Sequence, residues 1–188
     1  MINTIKKSIL AGILIGLGVI INLQSKTPEI GALLFSFGLL TIIAMQLNLY
    51  TGKIGYFSEI HEIQFLFTVL IFNCIGIIMT TGLYALGNSD FVNIISAAAA
   101  TKFSKSFLTL FINGFFCGML IHFAVKNKYL PITILAVVIF ILIKAEHCIA
   151  DFPYLICSFS NINVLKFGCI VLGNSLGAIL IERLSISK

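Results

Sequence analysis

Apolar residues fill six stretches of the chain almost without interruption, at about Ser8 to Leu23, Ile30 to Tyr50, Ile63 to Leu86, Phe103 to Val125, Leu130 to Phe159 and Val164 to Ile181. Runs of this length suit helices in hydrocarbon, where about 20 residues cross the core. Polar positions fall between the runs, with two exceptions. The fifth run has about 30 residues, and as one straight helix would reach roughly 45 Å across a core of about 30 Å. It also carries Lys144, Glu146, His147 and Asp151, followed by Pro153. Charge at that depth costs about 2.5 to 3.5 kcal/mol per residue, so such groups face a cavity or pathway. A break at Glu146 to Asp151 is expected, because irregular backbone survives at depth only where it lines a cavity. The second run meets a similar interruption at Asn48 to Gly55, before Tyr56, Phe57, Glu59, His61 and Glu62. The pattern predicts an all-α integral membrane protein with six transmembrane helices, the second and fifth broken.

The two halves resemble one another. Gly12-x-x-x-Gly16 recurs as Gly114-x-x-x-Gly118, and Asn73-x-x-Gly76 recurs as Asn174-x-x-Gly177, at an offset of roughly 100 residues. Thr51 then falls roughly opposite His147. Small-x-x-x-small pairs mark close helix packing in membranes, and their matched recurrence points to duplication. Three spans per half is an odd number, so the second copy enters the membrane inverted. One transmembrane domain over residues 1–188 is expected, with repeats at about 8–86 and 103–184. Asn73 and Asn174 are read either as interhelical hydrogen-bonding groups or as pore-lining ones. His122, inside the fourth run, is either a satisfied core histidine or a pore-lining residue.

Composition agrees with the pattern: 59% of residues are hydrophobic and 10% charged, too apolar for an ordinary soluble domain. The net charge of +5 is scattered between apolar runs and forms no basic stripe, which argues against a nucleic-acid partner. Lys6, Lys7, Lys53, Lys126, Lys128, Arg183 and Lys188 fall on one side of the expected membrane, and Lys26, Lys102, Lys105 and Lys166 on the other. This excess places both termini in the cytoplasm of a plasma-membrane protein. The five cysteines stand singly, without metal-like spacing, and read as packing residues. No metal or cofactor is expected. No A-x-A-like cleavage site follows the first run, so it is read as a mature helix rather than a signal peptide.

Several motifs in order carry a family resemblance: Phe35-Ser36-Phe37-Gly38-Leu39 leading to Leu49-Tyr50-Thr51-Gly52, then Glu146-His147-x-x-Ala150, then Gly173-Asn174-x-x-Gly177. In these the chain resembles the formate/nitrite transporter family across essentially all six runs. The resemblance implies an aquaporin-like fold and a homopentamer with one pore per protomer, passing small anions of weak acids through a lipid bilayer. It makes His147, with Thr51 opposite and Glu146 beside it, the central pore group. It makes Lys102 an anion-attracting vestibule residue, and Phe35, Leu39 and Phe140 the apolar constrictions. The chain departs from the family pattern where Lys144 and Ala145 replace a glycine and a phenylalanine, Asp151 and Gly118 replace asparagines, and Asn48 replaces an acidic residue. Lys144, Asp151, Asn73, Asn174 and His122 complete the candidate polar pore residues.

An anion cannot cross dry constrictions cheaply as a bare charge. The expected mechanism is therefore protonation near His147, whose ordinary pKa of about 6.5 suits exchange near neutrality. The transport alternative is a vitamin-binding membrane subunit of an energy-coupling importer, which would not explain the repeats. A membrane enzyme using Glu146, His147 and Asp151 lacks a nucleophile or metal set. Neither interruption carries the Asn-Pro-Ala turn of a water or glycerol channel.

Overall fold

The computed structural model describes residues 1–127 and 129–185, so two of the topology lysines, Lys128 and Lys188, lie outside the described residues. Among the described residues there are nine α-helices and no strand. They are α1 (Ile2–Gln24), α2 (Pro28–Ala44), α3 (Tyr50–Lys53), α4 (Ile63–Gly87), α5 (Ser89–Phe103), α6 (Phe107–Asn127), α7 (Leu130–Leu142), α8 (Cys148–Cys157) and α9 (Asn161–Ser185). Two 3-10 turns, Ile54–Tyr56 and Ile60–Glu62, lead from α3 to α4. By length and apolarity α1, α4, α6 and α9 suffice to cross a membrane, while α2, α7 and α8 are apolar but shorter.

The helix α5 is absent from the sequence reading. It opens with Asp90 in its first turn and closes with Lys102 in its last, charges that complement the helix dipole. An apolar-run search passes over such a segment, and it started the next span at Phe103 rather than Phe107.

Helices α1 and α4 pack along one another, as do α6 and α9. Close approach requires glycine on both partners. A Cβ on Gly12 would overlap the Asn73 carbonyl, and one on Gly118 the Asn174 carbonyl. Likewise Gly76 abuts the Ile9 carbonyl and Gly177 the Phe115 carbonyl. These contacts correct the repeat register by one helical turn. Gly12 corresponds to Gly118, and the matching pair is Ser8-x-x-x-Gly12 with Gly114-x-x-x-Gly118. Gly16 therefore falls opposite His122, not Gly118.

The chain leaves α2 and α7 by the same route. Leu47 N–H reaches back to Ile42 C=O at 2.9 Å and Gln46 N–H to Ile43 C=O at 3.1 Å. Ala145 N–H to Phe140 C=O at 2.9 Å and Lys144 N–H to Ile141 C=O at 3.0 Å repeat the pattern. Gln46 and Lys144 stand at φ 51° and 56°. Together these are Schellman caps, in which the left-handed position usually holds glycine. Every matched pair in these two caps lies 98 positions apart, as Gln46 does from Lys144. On that register Thr51 matches Ile149, and His147 matches Leu49, which displaces the expected equivalence of Thr51 with His147.

Between α3 and α4, the Glu62 carboxylate accepts the Ser58 and Glu59 N–H groups at 2.8 and 3.3 Å. Those backbone bonds, first Ser58 and then Glu59, hold its pKa below the usual carboxylate range.

Candidate functional site

Two asparagines hold the interruptions open. Asn73, on α4, donates Nδ2 to the Ser8 and Asn48 carbonyls at 2.7 and 2.8 Å and accepts the Tyr50 N–H on Oδ1 at 2.8 Å. Asn174, on α9, donates to the Gly114 and Glu146 carbonyls at 2.7 Å each and accepts the Cys148 N–H at 2.8 Å. Each primary amide thus ties a neighbouring helix and the interrupted strand of chain to the first turn of α3 or α8. Both side chains are buried with their polar atoms satisfied by backbone groups of other elements.

His147 caps α8. Its Nδ1 accepts the Ala150 N–H at 3.1 Å, and its Nε2 lies 2.9 Å from Thr51 Oγ1. A backbone N–H only donates, so Nδ1 carries no proton and Nε2 must be the protonated nitrogen. Nε2–H then donates to the Thr51 hydroxyl, whose own hydrogen points elsewhere. The ring is a neutral imidazole of fixed tautomer. Full protonation would require Nδ1 to give up the helix cap.

The apolar residues close around this pair. Phe35 and Phe140 meet edge to face with centroids 5.7 Å apart, and Phe140 lies 6.0 Å from the His147 ring. Leu39, one turn beyond Phe35 on α2, is buried at 1% exposure. Leu49, the counterpart of His147 in the first half, is equally buried and was not singled out by sequence, because a leucine in an apolar run carries no signal.

A cavity of about 400 Å³ opens beside His147, lined by Phe35 and Phe140 and by Lys102, Lys144, Glu146 and Asp151. Lys102 ion-pairs with Glu146 and, at 2.8 Å, with Asp151 Oδ1; Lys105 pairs with the other Glu146 oxygen at 2.6 Å. The vestibule lysine expected to attract anions is therefore clasped by two carboxylates. Asp151 Oδ2 is buried without a hydrogen-bond partner. A second cavity of about 180 Å³ is lined by Ile42, Gln46, Leu49, Gly52 and Lys53, whose counterparts 98 positions on, Phe140, Lys144, His147, Ala150 and Asp151, line the first. The two cavities thus occupy matching places in the two halves.

His122 lines neither cavity. It is fully buried, with Nε2 2.7 Å from Glu182, which also binds Lys126 at 2.9 Å, and with the Tyr56 ring 5.1 Å away. Gly55 lies so close that any side chain there would strike the imidazole. His61 is exposed beside Glu59 at 3.2 Å. All five cysteines are free; Cys74, Cys117 and Cys148 are buried, but Cys157 is exposed. Among the described residues no cluster could hold a metal ion.

Apolar helices, paired interruptions and a buried polar centre between phenylalanines define a multi-pass membrane protein of the channel class. The chain belongs to the formate/nitrite transporter family, whose model matches residues 1–185. It is similar in fold to a solved structure described as a pentameric formate channel with formate bound, at a TM-score of 0.81 and 19% identity, over 97% of this chain and 94% of that one. A second, described as an FNT family ion channel, gives a TM-score of 0.80 and 20% identity over 97% and 88%. A search among curated proteins gave no match.

Proposed function

We propose that the protein is a plasma-membrane channel for small monovalent anions of weak acids, such as formate, nitrite or hydrosulfide. The observation that carries this reading is the Thr51–His147 pair set beside the Phe35–Phe140 contact, with a charged cavity outside it. In this reading α2 with α3, and α7 with α8, form two broken spans, and α1, α4, α6 and α9 complete six. The halves, about 8–86 and 103–184, form inverted repeats with both termini cytoplasmic, and five copies assemble with one pore each. The family match supports this over a vitamin-importing subunit.

An anion entering the cavity loses water and becomes a stronger base as the dielectric falls. At the centre it meets the Thr51 hydroxyl, whose hydrogen is free to donate because its oxygen already accepts from His147. That donor holds the anion while it takes up a proton from bulk water reaching the cavity, and the neutral acid passes Leu39 and Leu49 without carrying charge through an apolar slit. With Nδ1 engaged as a helix cap, the imidazole orients and polarises the threonine rather than serving as a reservoir of protons.

Proteoliposome flux of a panel of such anions, followed at several pH values, tests the reading. Transport that rises as the pH falls toward the substrate's own pKa is expected. Absence of flux for every weak-acid anion would remove the channel assignment.

A further inference from the structure

Three ammonium groups border the larger cavity, from Lys102, Lys105 and Lys144, against two carboxylates, from Glu146 and Asp151. The carboxylates are committed: both oxygens of Glu146 and one of Asp151 contact Lys102 or Lys105. A compensated cluster has a short-ranged field, because opposite charges at ion-pair distance cancel within a few ångströms. The excess charge therefore resides on Lys144, which is exposed and has no ion pair among the described residues.

Its position is set by backbone. Lys144 is the left-handed residue of the α7 cap, at φ 56°, and its carbonyl accepts Asn113 Nδ2 at 3.2 Å. The cap thus fixes the Cα three residues from His147. The matching residue at the other cavity is the neutral Gln46.

We infer that Lys144, rather than Lys102, recruits the anion to the mouth of the pore, Lys102 and Lys105 being structural counter-charges for Glu146 and Asp151. This rests on the anion-channel reading above. An uncompensated cation at a mouth raises the local anion concentration and the rate of capture, an effect that salt screens.

The test is initial-rate formate flux in proteoliposomes holding the full-length protein, at low and high ionic strength, for wild type, Lys144→Gln, Lys144→Glu and Lys144→Arg. At low salt and sub-saturating formate, Lys144→Gln is expected to slow flux severalfold and Lys144→Glu further, with Lys144→Arg close to wild type. The deficit should appear mainly as a raised half-saturating concentration and shrink at high salt. Equal flux for Lys144→Gln and wild type at low salt overturns the inference while leaving the channel reading intact. So does an equal loss at both salt concentrations, which indicates a structural role. If wild type carries no formate, nitrite or hydrosulfide, the channel reading fails and takes this inference with it.

Discussion

His147 serves as helix cap and polar centre in one side chain, and the two roles separate by substitution. Asparagine is a strong N-cap and phenylalanine offers no acceptor, a difference of about 1 kcal/mol at an ordinary helix start. Neither substitute carries a charge, and of the two only asparagine can accept the Ala150 N–H. His147→Asn is expected to keep thermal stability near wild type, while His147→Phe lowers it and nearly abolishes flux. Scanning detergent-solubilised protein for stability and liposomes for flux checks both. If the Asn variant retains the wild-type rate, the imidazole is a cap and nothing more. His147 stood out in sequence as a polar group in an apolar run, whereas Thr51 was singled out by the repeat and the family resemblance. The roles of Asn73 and Asn174 were not legible there, since an amide in a membrane helix has the same signature whether it faces a pore or ties down backbone.

At the level of elements, the interruptions follow from caps as much as from charge. Sequence placed the breaks near the polar clusters, but the helices stop earlier, at Ala44 and Leu142, where the chain turns left-handed. No glycine announces either turn, so the cap was invisible from composition. A left-handed conformation is strained for a residue with a Cβ, by roughly 1 kcal/mol or more. Gln46→Gly and Lys144→Gly should therefore each raise stability by about 1 kcal/mol, read as a higher melting temperature of purified protein. Unchanged or lower melting temperatures would mean that the turn is not left-handed or that the side chains hold it. The close helix pairs were partly legible: the glycine spacing was seen, but the repeat was set one turn off because Ser8 plays the part of Gly114.

On the scale of the whole molecule, large apolar side chains face outward along the bundle, among them Phe37 at 55%, Leu83 at 74% and Leu165 at 65% exposure. Such a surface needs lipid or neighbouring subunits to cover it. If five copies share it, chemical cross-linking in native membranes is expected to give a ladder ending at the pentamer. A ladder that stops at monomer or dimer would leave one pore per chain without the ring.

The sequence by itself determined the solvent, the helical class and the polar centre, because a continuous apolar run excludes water and makes each buried charge conspicuous. It also carried the family, through short motifs in order. Tertiary structure decided which polar groups work as framework and which face the cavity, since that depends on partners 20 to more than 100 positions distant, such as Asn73 with Tyr50 and Tyr50 with Ser175. It decided the ion pairing around the cavity in the same way. Lys102, Lys105 and Lys144 are alike as residues, and only the placing of Glu146 and Asp151 against two of them leaves the third uncompensated.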